Sequence, residues 1–350
     1  YPGKLELIPR AAGQRRRQMD GERIYFTYGE KNVLRTLRSV KTTTRTEAER
    51  AGEPAAMTWS DDLEAHFDTA GAMTKMEQWS RFRYQEGERH ATADRATLEQ
   101  AKNEITLVNP ARIWDPAGST EAERIVLDQK SGNFSAFGKV RSVREPEAKA
   151  GAKTSGAVVS KEEPLRATAD QMFSTERNRQ VRYEGRAVMW QGTNRLSANR
   201  IELNRTTQEL RAYGQVVSQL VDKDSPAGKT KEPMVTIVRA PELFYSDKEK
   251  LAHYKGNAVL NRPGLEVKGL EIRAYLSEED AETAATFGTP DSGLDKAFAT
   301  GNVQILDTRP EWVRQGWGDR GEYQVREGRL ELQGPAARMN EAKNGVPQRT

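Results

Sequence analysis

The stretch that decides the fold is Leu251-Ala-His-Tyr-Lys-Gly-Asn-Ala-Val-Leu260. Counted from Gly256, residues at even offsets are small or apolar and residues at odd offsets are mostly polar. This is the period of a β-strand with one apolar face. Ala240 lies sixteen residues before Gly256, and the same spacing recurs along the chain. A fixed internal period indicates one supersecondary unit that is repeated.

The repeat extends over most of the chain. The other pairs at this spacing are Ala93 and Asn109, Ala122 and Gly138, Ala169 and Gly185, Ala198 and Gly214, and Gly318 and Gly334. A further unit starts near Gly269 and reaches Gly301 only after an insertion. In the first strand of a unit, apolar residues follow the opening small residue at the third and fifth positions, as Ile201 and Leu203 follow Ala198. A polar turn then leads into the second strand, which is typical of a β-hairpin.

These patterns predict an all-β chain: an elongated antiparallel sheet, twisted and folded over as an open jelly roll, built from repeated hairpin units. A closed barrel of about fourteen strands with small inward residues would leave an underfilled lumen. The repeat array is predicted over 91–350, continuous with strands over 1–90, with surface loops near 145–163, 222–232 and 277–295. The chain starts without Met and stops within its pattern, so we expect a processed piece of a longer protein.

Composition narrows the class of protein. Hydrophobic residues make up 36% of the 350 residues and charged residues 30%, so we expect a thin core or a wet sheet face. The formal net charge is +4 and the basic residues are not gathered on one stripe, which argues against a nucleic-acid partner. Cysteine is absent, which excludes disulfides and thiolate metal sites. No apolar run is long enough for a transmembrane helix.

No catalytic or metal-binding constellation stands out in the sequence. The three histidines, His66, His90 and His253, lie in strand patterns without a second ligand at metal-binding spacing. No Ser-His-Asp order, Walker loop or dinucleotide fingerprint occurs. We therefore expect no enzyme, no metal and no cofactor.

Four stretches carry a family likeness: Ala122-Glu-Arg-Ile-Val-Leu127 with Ala136-Phe-Gly-Lys-Val140, Ala198-Asn-Arg-Ile-Glu-Leu203 with Ala212-Tyr-Gly-Gln-Val216, Tyr254-Lys-Gly-Asn-Ala258, and Ala299-Thr-Gly-Asn-Val-Gln304. This unit resembles the OstA-like family, the periplasmic lipopolysaccharide-transport proteins of the LptA and LptC type and the N-terminal domain of LptD. The likeness covers 93–338 and, more weakly, 1–90.

The resemblance implies a slightly opened jelly roll that holds the acyl chains of lipid A. It also implies a periplasmic location and stacking of such modules, by edge-strand pairing, into a bridge that moves lipopolysaccharide toward the outer membrane. The alternative is a structural or carbohydrate-binding β-solenoid, such as a filament subunit. The carrier needs an interior wide enough for an acyl chain, whereas the structural protein fills that space with its own side chains.

The apolar face is the best candidate site, because its Ala and Gly leave voids that are costly unless something fills them. In the alternative, the two walls meet and these small residues permit their close approach. The residues predicted to line a lipid-binding groove are Val140, Val181, Tyr183, Met189, Val216, Tyr254, Leu260, Val303 and Ile305. Three basic residues near strand ends are predicted to meet lipid phosphates at the rim: Arg124, Arg200 and Lys255.

Overall fold

The computed structural model describes residues 3–8, 15–48, 50, 52–146, 163–176, 178–222, 234–276, 294–324 and 329–348. Over these residues the chain forms 22 β-strands and one 3-10 turn at Glu30–Asn32. The predicted loops lie almost wholly outside the described residues, although Leu294 and Asp295 already belong to a strand.

The chain divides into two compact units. Unit 1 comprises Tyr1–Glu145 and Asp170–Asn178, and unit 2 comprises Pro146–Ala169 and Arg179–Thr350. The strands of unit 1 are β1 (Gly3–Leu7), β2 (Arg17–Gly21), β3 (Arg23–Tyr28), β4 (Leu34–Thr46), β5 (Ala56–Phe67), β6 (Met73–Glu86), β7 (Arg89–Glu99), β8 (Glu104–Asp115), β9 (Gly118–Asp128) and β10 (Phe134–Arg144). Strand β11 (Leu165–Thr175) is divided between the units.

The strands of unit 2 are β12 (Gln180–Gln191), β13 (Asn194–Asn204), β14 (Glu209–Asp222), β15 (Met234–Ser246), β16 (Leu251–Arg262), β17 (Leu265–Leu276), β18 (Leu294–Thr308), β19 (Trp312–Gln324), β20 (Arg329–Gln333), β21 (Arg338–Lys343) and β22 (Val346–Gln348). The sequence predicted a boundary near residue 90 because the repeat is clear only after that position. This boundary stays a prediction.

Each unit is a run of antiparallel pairs between strands that are neighbours in sequence. In unit 1 the strands β4 to β10 pair in order, β2 and β3 share the other side of β4, and β1 pairs with β2. In unit 2 the strands β12 to β19 pair in order, β20 and β21 share the other side of β19, and β22 pairs with β21. The prediction of an all-β fold built from antiparallel hairpins is confirmed.

Alternate strands contain a β-bulge near their middle. In β14, Gly214 and Gln215 adopt φ angles of +73° and +52° and oppose the single residue Pro241 of β15. A Cβ atom on Gly214 would lie 2.6 Å from the Asn199 side chain, so glycine suits both the angle and the space. Equivalent bulges occur at Ser80–Arg81 in β6, Asn109–Pro110 in β8, Gly138–Lys139 in β10, Gly185–Arg186 in β12, Gly256–Asn257 in β16 and Gly301–Asn302 in β18.

The bulge explains why the two strands of a unit have different sequence patterns. On the bulged strand the alternation runs through the bulge, so Ala212 and Val216 are both buried. On the neighbouring strand the register shift moves the buried face by one residue, so Ala198 and Ile201 are both buried although they are three residues apart. The three-residue step in the sequence therefore marks the residue that lies opposite a bulge.

The unit predicted around Gly334 was wrong in form. The spacing indicated one continuous strand, whereas the chain there forms two short strands, β20 and β21. Leu330 lies at an even offset from Gly334, which would place it on the apolar face of the predicted strand, and it is 38% exposed. Among the described strands β20 pairs only with β19, so its other side lacks the ladder that holds the other bulged strands together.

Candidate functional site

The candidate site is the inward face of the bulged strands. All nine predicted groove residues lie there, at even offsets from their bulges, and eight of them are buried while Leu260 is half-buried. Val140 belongs to unit 1 and the other eight belong to unit 2. The structure thus places them on one type of surface, and their contact with acyl chains stays a prediction.

The bulge divides its strand into two halves, here called arms: the residues before the bulge and the residues after it. The strand bends at the bulge, so the two arms face each other. In unit 1, Gln78 of β6 pairs across the ladder with Leu63, yet its Oε1 accepts a hydrogen bond of 2.9 Å from Thr58, five residues away along β5. In a flat sheet five residues span about 16 Å, which is beyond the reach of a glutamine side chain. The contact therefore requires a sharp bend at the Ser80–Arg81 bulge, which is what a bulge does to its strand.

Unit 2 has the same arrangement with an aromatic residue. Tyr254 also lies two residues before a bulge, and its phenol lies against Ser218 on the other arm of β14. Burial raises the pKa of this phenol to about 12. The hydroxyl of Ser218 makes no well-aligned hydrogen bond among the described residues. The ring of Tyr254 therefore spans the interior between the two arms.

In unit 2 the side chain two residues before the bulge is alternately large and small from one bulged strand to the next. Tyr183 and Tyr254 are 4% exposed, Ala212 is 0% exposed and Ala299 is 6% exposed. Such alternation lets large side chains fill the space that alanines leave on the strands between them. Sequence analysis picked out both tyrosines as groove residues, and it missed that the ring of Tyr254 bridges the arms.

The interior is closed to water at these positions. Ile201 and Leu210 are 0% exposed, and Val216 and Val303 are 1% exposed. A wide open trough would leave such side chains accessible. An acyl chain can therefore enter only if the arms part or the bridging rings move.

Unit 1 contains a buried polar cluster that the sequence did not predict. Its members, here called the Gln78 cluster, are Ser39, Thr42, Thr44, Thr58, Ser60 and Gln78. Thr42 donates to Ser39 at 2.8 Å, Thr44 and Thr58 share a hydrogen bond of 2.6 Å, and Ser60 donates to Gln78 Oε1 at 3.2 Å. Threonine is also a common strand residue, so the run at 42–44 gave no distinct signal.

The predicted phosphate-binding residues occupy a different place from the one expected. Arg124, Arg200 and Lys255 lie in the middle of strands of 11 or 12 residues, beside the bulges and not near strand ends. The sequence units correspond to half-strands, which is why the strand ends were misplaced. The guanidinium carbon of Arg124 lies 4.4 Å from the ring centre of Phe137, and that of Arg200 lies 4.5 Å from the ring centre of Tyr213.

Three exposed aromatic residues lie on the edge strand β3. Strand β3 pairs with β4, and no second partner occurs among the described strands. Its Tyr25, Phe26 and Tyr28 are 52%, 42% and 59% exposed. Strand β20 is a similar edge in unit 2. An edge of this kind presents unpaired backbone groups to another strand.

Other chemistry is limited in the part of the chain that the structure describes. No group of three or more His, Asp or Glu side chains there is placed to hold a metal ion. His253 Nε2 lies 2.9 Å from Glu271 Oε2, and burial lowers the pKa of His253 while the hydrogen bond lowers the pKa of Glu271. None of the described helical structure is long and apolar enough to cross a membrane.

Comparisons with known proteins complete the description of the site. A family model described as LptA/(LptD N-terminal domain) LPS transport protein matches residues 14–133 and 139–209, more than half of the chain. Among solved structures, the chain is similar to LptH from Pseudomonas aeruginosa, described as the LptA homologous periplasmic component of the conserved lipopolysaccharide transport device. The identity is 17%, the match covers 38% of this chain and 93% of that chain, and the TM-score is 0.28. A search of the curated proteins returns no match.

Proposed function

Because the chain belongs to the LptA/LptD N-terminal domain family of lipopolysaccharide transport proteins, we propose that it is a non-enzymatic carrier that binds lipopolysaccharide acyl chains along its inward face. The observation that carries the proposal is the set of buried apolar residues at even offsets from the bulges, which includes Val181, Val216 and Val303. Each acyl methylene buried against such a face contributes about 0.8 kcal/mol.

The closed interior sets a condition on binding. Tyr254 fills the space between the arms, and Tyr183 is buried at the equivalent position of β12, so we expect an entering acyl chain to displace these rings. The contacts that the rings lose are replaced by contacts with the lipid, and the net gain is therefore smaller than the transfer value for the methylenes alone. Binding is expected to be weak per methylene and to depend on the size of these two residues.

Headgroup phosphates are the ligands that we propose for Arg124, Arg200 and Lys255. These residues lie beside the bends on positions that alternate with the inward ones. A lipid held by its acyl chains would meet them only where its headgroup leaves the interior. Arg124 and Arg200 stack on aromatic rings and keep their charge. Arg200 Nε also lies 3.2 Å from Glu202 Oε1, so a phosphate would compete with that carboxylate.

The partners that we propose are other modules of the same family, which would add strands at the edges β3 and β20. Backbone hydrogen bonds supply the affinity in this mode of recognition, and the side chains supply the specificity. The exposed aromatic residues of β3 provide apolar area for such a contact. The resemblance of the repeat unit to the OstA-like family implies a periplasmic location, and we propose the periplasm for this chain.

The packed interior supports one alternative function. A structural or carbohydrate-binding β-solenoid would keep its interior permanently filled by its own side chains, as the burial of Ile201 and Leu210 permits. The two functions differ in whether lipid reaches the inward face.

Photocrosslinking with lipopolysaccharide tests this difference. A photoreactive residue at Val303 faces inward, and one at Gln304, the next residue on the same strand, is exposed and serves as the control. His253 alternates with the inward residues of β16, but it is only 8% exposed and therefore cannot serve as an exposed control. The carrier predicts adducts from 303 and none from 304. Leu260 is a second inward position that tolerates a bulky probe better, since it is half-buried. If the protein is folded and forms adducts at neither 303 nor 260, the structural alternative is supported.

A further inference from the structure

An open groove of about 440 Å³ lies between the start of β1 and the edge strand β3. We call it the β1–β3 groove, and its lining includes Lys4, Glu22, Arg23, Ile24, Tyr25 and Phe26. Basic and aromatic side chains therefore share one concave surface. Exposed apolar area in such a surface is typical of a site that binds a ligand or a partner.

The groove lies in the part of the chain that carries the positive charge. Residues 1–46, which run to the end of β4, contain eleven basic and four acidic residues, a net charge of +7, whereas the rest of the chain has a net charge of −3. The carboxylate in the lining, that of Glu22, lies 2.7 Å from Lys41 Nζ, and this hydrogen bond lowers the pKa of Glu22. The side chain of Lys4 is 84% exposed, and Arg23 is exposed as well. The groove therefore offers two cationic groups to an anionic ligand.

The groove also adjoins the interior of unit 1. Ile24 lines the groove and packs against the buried cluster that contains Met19 and Leu37. Phe26 and Tyr28 follow Ile24 on the same face of β3, because side chains alternate along a strand. Their ring centres lie 6.5 Å apart, and both rings are exposed. A row of apolar side chains thus leads from the buried cluster to solvent, beside the two cationic groups.

The open edge strand β20 has a different chemistry. Its basic residue, Arg329, lies 3.7 Å from Glu331, so its charge is balanced, and the strand contains no aromatic residue. Leu332 pairs with Gly321 of β19, yet its Cδ1 would lie 2.5 Å from a Cβ atom on Gly316, five residues away along β19. Leu332 therefore spans the two halves of β19. An open edge occurs here without aromatic residues, so those of β3 are better explained by a ligand.

We propose that the β1–β3 groove is a loading site that binds the phosphate-bearing end of an acylated lipid before its acyl chains enter unit 1. Lys4 and Arg23 bind the phosphate, and Phe26 and Tyr28 contact the acyl chains. Basic residues attract anionic lipid headgroups, and aromatic rings suit the border between acyl chains and water. The inference rests on the proposed carrier function and adds a place of entry to it.

Three probes separate the contributions of the phosphate and the acyl chain. Palmitoyl lysophosphatidylglycerol has an anionic headgroup, palmitoyl lysophosphatidylcholine has the same acyl chain and no net charge, and glycerol phosphate has no acyl chain. Their binding to the full chain is measured by titration calorimetry at low and high salt, below the concentrations at which micelles form. At low salt we expect the anionic lipid to bind about 5- to 30-fold more tightly than the zwitterionic lipid, the range that two basic residues supply. The ratio should fall at high salt, and glycerol phosphate should bind much more weakly than the anionic lipid.

Matched double variants locate the site. Lys4→Gln combined with Arg23→Gln should abolish the preference for the anionic lipid. Lys130→Gln combined with Lys248→Gln removes the same charge from two exposed turns and should keep the preference.

Photocrosslinking with lipopolysaccharide provides a second measure of position. A photoreactive residue at Phe26 should form adducts, whereas one at Leu330, which is exposed to a similar extent on β20, should form none.

The outcomes separate this proposal from the carrier function. A wild-type chain that binds neither lipid and forms no adducts from Val303 overturns both. If adducts form from Val303, the carrier function stands, and the loading site alone is overturned by any of three results. These are equal binding of the two lipids by the wild-type chain, a preference that persists in the folded double variant of Lys4 and Arg23, and binding of glycerol phosphate as tight as that of the anionic lipid.

Discussion

The bend in β6 and the bend in β16 share a backbone and differ in chemistry. Both place two left-handed residues opposite one residue of the neighbouring strand: Ser80 and Arg81 with φ of +60° and +64°, and Gly256 and Asn257 with φ of +88° and +60°. In the β6 bend a hydrogen-bonded glutamine crosses the interior. In the β16 bend a buried phenol crosses it.

The outer sides of the two bends also differ. Arg81 Nε and Nη2 lie 2.8 and 2.6 Å from the two carboxylate oxygens of Asp61, the residue opposite the bulge. In β16 the opposite residue is Pro241, and a Cβ atom on Gly256 would lie 2.8 Å from its Cγ. Left-handed conformation costs a residue with a Cβ atom roughly 1–2 kcal/mol. The β6 bend offsets that cost with polar contacts. The β16 bend avoids it at the first position with Gly256 and has Asn257, a residue type that tolerates the left-handed region, at the second.

The largest effect is expected where glycine is indispensable. Gly256→Ala combines left-handed strain with overpacking against Pro241, and we expect it to lower the free energy of unfolding by about 2–4 kcal/mol. Ser80→Ala is the matched change in β6, where a Cβ atom is already present, and should cost less than about 1 kcal/mol. Chemical denaturation of both variants measures the difference. Equal losses of unfolding free energy would contradict the idea that the β16 bend depends on glycine and the β6 bend on polar contacts.

The same difference explains what the sequence could predict. A period keyed on glycine predicted the antiparallel hairpins and their apolar face. The structure shows that its glycines, Gly138, Gly185, Gly214, Gly256 and Gly301, are the bulge positions, which the sequence did not predict. In the first ninety residues the β6 bend carries Ser80 and Arg81, so the period was faint there. Left-handed serine and arginine leave no signal in a single sequence, because their identity does not report their φ angle.

The contacts between the arms could not be predicted for another reason. Whether Gln78 meets Thr58, or Tyr254 meets Ser218, depends on the angle of the bend, which periodicity does not encode. The sequence therefore predicted the lining of the interior and left open whether it is filled. It placed Gly334 in the pattern because a period cannot report that an edge strand has one neighbour.

Alkaline pH should destabilise the β16 bend through Tyr254. The pKa of Tyr254 is raised to about 12 by burial, whereas an unfolded tyrosine titrates near pH 10. The contribution of the neutral phenol is therefore complete below pH 10 and is lost as the pH rises through 12. Two pKa units correspond to about 2–3 kcal/mol. Tyr254→Phe should lack this part of the loss when unfolding is measured at pH 9 and pH 12. If the wild-type chain and Tyr254→Phe lose the same unfolding free energy between pH 9 and pH 12, the phenol of Tyr254 does not titrate as a buried group.

Two serine-to-alanine changes compare the hydrogen bonding of the two interiors. Ser60 donates to Gln78 at 3.2 Å, so Ser60→Ala should cost about 1 kcal/mol. Ser218 is buried without a well-aligned hydrogen bond among the described residues, so Ser218→Ala should be nearly neutral or stabilising. Unfolding midpoints of the two variants decide the matter. A substantial loss in Ser218→Ala would show that its hydroxyl bonds to the Tyr254 phenol, and the two bends would then be more alike.

The smallest effect is expected on the outer side of the β6 bend. Arg81 is largely exposed, with 82% of its side chain accessible, so Asp61→Asn should cause only a small loss that disappears at high salt. The hydrogen bond from Arg81 lowers the pKa of Asp61, so the contribution of this pair is present above about pH 4 and is lost as the pH falls. Glu123→Gln should behave alike, because Lys139 in the β10 bulge lies 2.8 Å from Glu123. Unfolding midpoints at low and high salt measure both, with Gly256→Ala as the variant whose loss should not change with salt. A salt-independent loss in Asp61→Asn would mean that Asp61 supports the β6 bend by packing, and would contradict an electrostatic contribution from its contact with Arg81.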